Sequence, residues 1–276
     1  MKRSRLNGLL VAAAIAVCAV VASPATATHN AAKPIHPGVM TFTQGAQCTS
    51  NFVFRDGGGT YIGQAAHCSG TGGATETNGC DSGSLPIGTQ VEVDGATQPG
   101  TLAYNSWLTM QSVGETNEDA CQYNDFALIR IDPADVGRVD SSVPGFGGPT
   151  SVGPSSAMLG DTVYSYGNSS LRGGVTKLSP KQGVVVQGEG NGWSRTVYTV
   201  TPGVPGDSGS AFLSGSGQAI GTLSTLQILP VAGSNGVGDL RNELDYARAN
   251  SSFSGVDLVP GTQPFTPDWV GAIINS

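Results

Sequence analysis

The chain is poor in charged side chains, and basic residues are scarcer than acidic ones. Only 12% of its 276 residues are charged, with 13 lysines and arginines against 20 acidic residues. Attraction to phosphate groups requires clustered basic residues, whereas those of this chain are few and spread along its length. We therefore expect no binding to nucleic acid or to a membrane surface.

Metal-binding patterns are also missing. The five cysteines include no Cys-x-x-Cys pair and no Cys/His cluster, so no zinc site is expected. The acidic stretch 115–119 lacks the alternation of an EF-hand loop, which favours a solvated loop over a calcium site. We expect the protein to need neither a metal nor a cofactor.

The one long apolar run predicts a secretory signal peptide over residues 1–27. Three basic residues stand in the first five positions, an apolar run extends from Leu9 to Ala22, and Ala25-Thr26-Ala27 follows. The run is too short and too rich in alanine for a membrane span. Residues 28–38 would form a short leader. Without the signal the chain has 10 basic and 20 acidic residues, a formal charge of −10.

Removing Cys18 with the signal leaves four cysteines, Cys48, Cys68, Cys80 and Cys121. An even number in an exported chain indicates two disulfides, for which three connectivities exist. Because Cys48 precedes a glycine-rich hairpin and Cys68 follows it, a bridge between them would close the base of that hairpin. Cys80 and Cys121 would then pair with each other.

Short β-type segments separated by turns, together with 41 glycines, predict an all-β protein. The expected strands lie at 51–54, 60–62, 90–94, 101–110, 126–131, 161–166, 182–187, 196–200, 211–213 and 219–226. They form a first β-rich half over 39–140 and a second over 157–237, joined by a linker at 141–156. A C-terminal helix and tail occupy 238–276, with Asp239 capping an amphipathic helix from Leu240 to about Ala249.

The stretch Gly203–Leu213 contains the strongest catalytic signal. Its Gly206-Asp207-Ser208-Gly209 turn can expose successive N–H groups in one direction, because glycine adopts backbone conformations closed to other residues. Ser208 would attack a carbonyl, while the N–H groups of Gly206 and Ser208 hold the developing oxyanion.

A serine hydroxyl needs a base, and His67 is the histidine available in the folded body. The two others, His29 and His36, fall in the predicted leader. The acid behind His67 is less constrained. Asp125 is preferred because it opens an apolar strand, where a carboxylate can be buried against the imidazole, although a plain turn role fits Asp125 equally well. Other aspartates remain available, namely Asp56, Asp81, Asp94, Asp119 and Asp132.

Three blocks in order along the chain resemble the signatures of the chymotrypsin-like serine proteases. They are Ala65-Ala-His-Cys68, Asn124-Asp-Phe-Ala-Leu-Ile129 and Gly206-Asp-Ser-Gly209. The resemblance implies two six-stranded antiparallel β-barrels with the active site between them. It also implies that His67 is the general base, Asp125 its orienting acid and Ser208 the nucleophile, with the oxyanion hole at Gly206 and Ser208.

The chain departs from that family in two places near the nucleophile. Ser210 stands where the family usually has glycine, a change we expect to be tolerated because serine is small. No Ile-Val-Gly-Gly start is present to pair with Asp207, and bacterial members tend to use an internal arginine instead. Arg172 is our choice for that partner, and a solvated turn arginine is the alternative.

The residues that would contact the substrate give a weaker prediction. Pro202 stands where an aspartate selects Lys/Arg substrates, and no histidine follows His67 to support cleavage after glutamate. The segment Ser224-Thr225-Leu226 resembles the strand that pairs with the substrate backbone, and Leu226 should narrow the pocket entrance. We expect small or medium apolar residues before the cleaved bond.

These observations predict a secreted, monomeric serine endopeptidase acting on protein or peptide substrates. Two alternatives use the same residues. One is a catalytically silent protease-like protein that binds a partner in the cleft, and the other is an esterase with the same triad.

Overall fold

The computed structural model describes residues 33–73, 77–155, 159–227 and 232–276. The predicted signal peptide (1–27) and the first leader residues (28–32) lie outside the described residues. The strands are β1 (Met40–Thr43), β2 (Ala46–Thr49), β3 (Val53–Asp56), β4 (Gly59–Gln64), β5 (Gln90–Val93), β6 (Gly100–Asn105), β7 (Ala127–Arg130), β8 (Thr162–Tyr166), β9 (Pro180–Glu189), β10 (Ser194–Val200), β11 (Ala211–Ser214), β12 (Ala219–Gln227), β13 (Ser234–Asp239) and β14 (Asp257–Leu258). The helices are α1 (Ser106–Val113), α2 (Glu118–Tyr123), α3 (Leu240–Asn250) and α4 (Trp269–Ile274).

The second half is a closed antiparallel barrel of six strands, in the order β10-β13-β12-β11-β8-β9. Successive side chains along each strand point alternately into the barrel and out of it. The interior is filled by apolar, mostly β-branched residues: Val163, Val185, Val197, Phe212, Ile220, Leu223 and Val237. The barrel runs from Thr162 to Asp239 and has the six antiparallel strands that the sequence predicts.

The first half is an eight-stranded antiparallel sheet in the order β14-β3-β4-β7-β6-β5-β1-β2. Its own apolar cluster includes Ile62, Leu102 and Ile129 from three neighbouring strands. The sheet has eight strands, two more than the six expected. One of the two is β14 from the C-terminal tail, which pairs with β3 through Leu258. Together with the closed barrel, this sheet gives the all-β architecture expected from the sequence.

The last residues of the predicted leader belong to this first half. Ile35 is fully buried in its apolar cluster and forms a parallel bridge with Val139. The backbone N–H of Ile35 donates to the Arg138 carbonyl, and its carbonyl accepts from Asp140 N–H. The chain from Ile35 onward is therefore part of the folded body, which also fixes His36.

Strand β7 shows how the two faces of a strand serve two cores. Ala127 and Ile129 pack into the first-half cluster, and Phe126 and Leu128 pack into a second cluster that joins the two halves. This alternation is the one that a β-strand over residues 126–131 predicts, because successive side chains of a strand point to opposite faces. The predicted linker is not peripheral, because its Val143 and Phe146 are fully buried in the same joining cluster.

One predicted strand is wrong over half of its length. Residues 101–110 form strand β6 only as far as Asn105, after which helix α1 begins. The Asn105 side chain accepts hydrogen bonds from the N–H groups of Trp107 and Leu108, which satisfies two of the donors left free at a helix start. An Asn-Ser pair before an apolar residue is a capping signal that outweighs the β-propensity of the segment.

The C-terminal region closes over both halves. Helix α3 begins after Asp239, whose carboxylate accepts from the Asn242 N–H, as predicted for the cap. Beyond α3, Phe253 packs edge-to-face on Tyr61 of the first half, and Phe265 packs edge-to-face on Tyr164 of the second. No helix among the described residues is long and apolar enough to cross a membrane.

Candidate active site

His67 lies in a short 3-10 turn that follows β4. The next residue, Cys68, is bonded to Cys48 of β2, and Ala65 packs fully buried against this disulfide. The predicted second disulfide, Cys80–Cys121, is also present. The Cys48–Cys68 bond and the buried alanine fix the backbone at His67, whose side chain is 27% exposed and lines a cleft.

Asp125 stands at the start of β7 and is 4% exposed. Its carboxylate accepts three hydrogen bonds: from His67 Nδ1 at 2.6 Å, from the His67 backbone N–H at 2.9 Å and from Ser224 Oγ at 2.6 Å. Because an ionised carboxylate can only accept, the proton of the neutral imidazole belongs on Nδ1. Nε2 then carries the lone pair that a general base requires.

The electrostatics of this pair favour an ionised acid behind the base. Burial raises the pKa of Asp125, but the charge and hydrogen bonds of His67, with the Ser224 hydrogen bond, bring that pKa below its ordinary value. Burial lowers the pKa of His67, and the adjacent Asp125 charge outweighs it, so the pKa of His67 is raised above 6.5. An imidazolium formed during a reaction is therefore stabilised by Asp125.

The turn that presents Ser208 depends on its glycines. Gly206 and Gly209 have φ of +95° and +89°, in the region that side chains disfavour. A Cβ at Gly209 would lie 2.4 Å from the Thr49 carbonyl oxygen. Thr49 N–H donates to the Ser208 carbonyl at 2.8 Å, so β2 of the first half directly holds the serine of the second.

Two backbone N–H groups beside Ser208 are available to a ligand. Within the described residues, neither the Gly206 N–H nor the Ser208 N–H donates to a protein acceptor, whereas the intervening Asp207 N–H donates to the Val204 carbonyl at 2.9 Å. Two free donors flanking a nucleophile are the arrangement that binds an oxyanion.

Ser208, Gly206, His67 and Asp125 line one cleft of about 570 Å³. No hydrogen bond joins the Ser208 hydroxyl to the imidazole among the described residues. Catalytic hydrogen bonds are often long in the ligand-free state and shorten when substrate binds. The structure thus brings the predicted base, acid and nucleophile to one cleft, with the acid–base contact already formed.

No family model and no curated protein matches this chain. Solved structures of serine proteases do. Thermobifida fusca protease A is 19% identical with a TM-score of 0.51, over 82% of this chain and 99% of that one. Cellulomonas bogoriensis chymotrypsin is 16% identical with a TM-score of 0.50, over 82% and 98%. A glutamic-acid-specific serine protease described as using a histidine triad in substrate binding is 19% identical, with a TM-score of 0.52 over 82% and 100%.

This chain has the chymotrypsin-like fold. The fold accounts for the position of the cleft, which is lined by residues of both halves, including Cys48 and His67 from the first and Ser208 and Leu223 from the second. The resemblance noted in the three sequence blocks therefore extends to the arrangement of the chain around them.

Next to Ser208 in this chymotrypsin-like fold, Asp207 is fully buried and ion-paired. Arg172 donates to both of its carboxylate oxygens, at 2.5 and 2.6 Å, so Arg172 is not a solvated turn residue. Lys181, fully buried on β9, lies 3.2 Å from the same carboxylate. Lys181 was not predicted, because a lysine beside a predicted strand ordinarily faces solvent.

The predicted substrate-contacting residues divide into two groups. Ser224, Thr225 and Leu226 line the cleft, and Leu226 is 55% exposed there. Pro202 is not among the described lining residues, and its carbonyl accepts from Arg172 at 3.2 Å. Asn235 lines the cleft and was not predicted; it accepts from the Gly203 N–H at 2.9 Å, a contact between distant segments that no local pattern reveals.

A second buried acid, Glu243 of α3, was also missed. It is fully buried and accepts from Thr222 Oγ1 at 3.1 Å. Burial, followed by the nearby charges of Asp125 and Asp239, raises the pKa of Glu243 well above its ordinary value. Ionisation of Glu243 is therefore disfavoured while Asp125 carries its charge.

Among the described residues, the one group of potential metal ligands is Cys48, His67 and Cys68. Both sulfurs belong to a disulfide and cannot act as thiolate ligands. In the acidic stretch 115–119, the Glu115 carboxylate accepts from the N–H groups of Thr116 and Asn117 instead.

Proposed function

We propose that this protein is a serine endopeptidase that cleaves peptide bonds through an acyl-enzyme on Ser208. The observation that carries the proposal is the Asp125–His67 hydrogen-bonded pair, 2.6 Å between Oδ2 and Nδ1, in the wall of the cleft that Ser208 also lines. The two free N–H groups at Gly206 and Ser208 support it further.

The reaction follows from these groups. His67 Nε2 takes the hydroxyl proton of Ser208 as Oγ bonds to the carbonyl carbon, and the oxygen that gains negative charge accepts from the N–H groups of Gly206 and Ser208. The imidazolium, stabilised by Asp125, then protonates the leaving amine as the C–N bond breaks. Water, deprotonated by His67, attacks the acyl-enzyme, and Ser208 leaves with the proton.

Peptide hydrolysis by purified protein tests the proposal. A library of unmodified peptides should be cleaved, and Ser208→Ala or His67→Ala should lower kcat by about 10⁴-fold or more. Ser216→Ala, at an exposed turn serine, is the matched control and should retain full activity. Cleavage of esters without amides would replace the proposal with an esterase, and binding of peptides without any turnover would replace it with a silent binding protein.

The cleft favours an uncharged side chain before the cleaved bond. No lysine, arginine or glutamate is among the described residues that line it, and Leu223 and Leu226 contribute apolar surface. The glutamic-acid-specific structure is described as binding substrate through a histidine triad, whereas this chain has no histidine after His67. Small or medium apolar residues are therefore proposed at that substrate position; fastest cleavage after Arg, Lys or Glu in a peptide panel would refute this.

Export to an oxidising compartment is part of the proposal. Two disulfides are present, and such bonds persist in extracellular proteins rather than in the cytosol. The signal peptide expected over 1–27 would direct that export. Expression of the full chain in a secreting host, with mass analysis of the medium, should give a monomer that lacks residues 1–27 and carries both disulfides.

A further inference from the structure

The three successive carbonyl oxygens before Ser208, those of Pro205, Gly206 and Asp207, each accept a hydrogen bond from a side chain. Ser169 Oγ donates to the Pro205 carbonyl at 2.5 Å. Gln47 Nε2 and Thr49 Oγ1 donate to the Gly206 carbonyl at 2.9 and 2.7 Å. The next carbonyl, that of Asp207, accepts from Ser210 Oγ at 2.5 Å and from the Ser210 backbone N–H at 3.0 Å.

The carbonyl of a trans peptide points away from the N–H of the following residue. Fixing the Pro205 carbonyl against Ser169 therefore fixes the Gly206 N–H on the opposite side, and fixing the Asp207 carbonyl against Ser210 does the same for the Ser208 N–H. These are the two N–H groups without a protein acceptor among the described residues. The middle peptide faces the other way, and its Asp207 N–H is bound to Val204.

Without such contacts the first of these peptides is poorly restrained. Gly206 has φ of +95°, and glycine readily rotates to other backbone conformations. Rotation of the Pro205–Gly206 peptide would turn a carbonyl oxygen, rather than a donor, toward the developing negative charge. Ser169 itself is well fixed: it is 2% exposed, and its Oγ accepts from the Leu171 N–H at 3.1 Å while it donates to Pro205.

We propose that the hydroxyls of Ser169 and Ser210 are positioning groups for the oxyanion hole, which they hold open by fixing the carbonyls of Pro205 and Asp207. This inference rests on the proposed function. It also gives a role to Ser210, the residue at which this chain departs from the family pattern: its fully buried hydroxyl is used, not merely tolerated.

The test compares Ser169→Ala and Ser210→Ala with Ser141→Ala. Ser141 is the matched control because it too is a buried serine whose Oγ donates to a proline carbonyl, that of Pro260 at 2.6 Å, and it is not among the residues lining the cleft. Hydrolysis of a peptide substrate at its amide bond would be measured. Inhibition would be measured with two compounds of the same peptide sequence: a peptide aldehyde, which forms an oxyanion on Ser208, and a non-covalent peptide amide that is not cleaved.

Loss of an oxyanion donor lowers kcat by about 10²–10³-fold, so loss of a group that only aims the donor should lower it by about 10-fold or more. In Ser169→Ala the aldehyde inhibition constant should rise by the same factor. In Ser210→Ala both changes should be smaller, because the Ser210 backbone N–H still donates to the Asp207 carbonyl. KM, the peptide-amide inhibition constant and the melting temperature should change little, and Ser141→Ala should change none of the catalytic values.

If Ser169→Ala does not fold, the isosteric pair Ser169→Thr and Ser169→Val replaces it; only the threonine keeps the hydroxyl and should keep kcat. If the unmodified protein is active and the variants keep its kcat and its aldehyde affinity, the inference is overturned and the proposed function still stands. An equal weakening of aldehyde and amide binding would also overturn it. Absence of Ser208-dependent hydrolysis in the unmodified protein would overturn both this inference and the proposed function.

Discussion

The buried ion cluster of Asp207, Arg172 and Lys181 beside Ser208 offers a quantitative prediction. Asp207 is fully buried, Arg172 makes two charge-assisted hydrogen bonds to it, and Lys181 lies 3.2 Å away. Bonds of that kind contribute about 1.5–3 kcal/mol each, and removing one partner of a buried ion pair costs about 3–5 kcal/mol. Because Lys181 would remain to compensate, we expect Arg172→Met to lower the free energy of unfolding by about 3 kcal/mol.

Lys181→Met should cost less, about 1 kcal/mol, because the lysine makes a single contact with Asp207 and its own charge is costly to bury. That cost is visible in its titration: burial, opposed by the Asp207 charge, lowers the pKa of Lys181 to about 8. At pH 7 the lysine is still charged, so the stability losses of Lys181→Met and Arg172→Met should be compared at that pH. Kcat should also fall in Arg172→Met, since Asp207 adjoins Ser208.

Urea unfolding at pH 7 measures both effects, provided that the slope of free energy against urea is unchanged. Arg130→Met is the control, because this arginine is exposed on β7 and its side chain makes no ion pair within the described residues; exposed charges contribute about 0–1 kcal/mol. A larger loss in Lys181→Met than in Arg172→Met would refute the assignment of Arg172 as the main partner, and so would an Arg172→Met protein as stable as the unmodified one.

Three further predictions concern the cleft and the tail. Activity should rise with pH as His67 loses its proton, because only neutral imidazole accepts the serine proton, and the transition should lie above the ordinary pKa of histidine. Asp125→Asn should move that transition to lower pH and lower kcat by about 10⁴-fold in a pH–rate profile. Leu226→Gly should increase kcat/KM for phenylalanine relative to alanine before the cleaved bond by about 10-fold or more, measured with paired peptides. Phe253→Ala should lower the free energy of unfolding by about 3–5 kcal/mol in urea, since this tail residue is buried against Tyr61.

The parts of the site that the sequence predicts are those for which chemistry restricts the residue type. A general base at neutral pH is most often histidine, and His67 was the histidine available outside the predicted leader. The cap of α3 by Asp239 and the alternation of β7 were predictable for a similar reason, because each follows from a local pattern of residues.

The remaining parts depend on contacts between segments far apart in the chain. Gln47 and Gly206 are 159 residues apart, and nothing near either one indicates their hydrogen bond. Ser169 is an ordinary helix-capping serine by its local sequence, and only the folded chain shows that its hydroxyl also reaches Pro205. The pairing of β14 with β3 was missed because a two-residue strand leaves no periodic signal.

The most direct test of the account is labelling by a fluorophosphonate, which reacts only with an activated serine hydroxyl. Peptide mapping by mass spectrometry at pH 8 should find one adduct per chain, on Ser208, and none in His67→Ala. An adduct on another serine, or a Ser208 adduct that forms equally fast without His67, would contradict the claim that His67 activates Ser208 in this cleft.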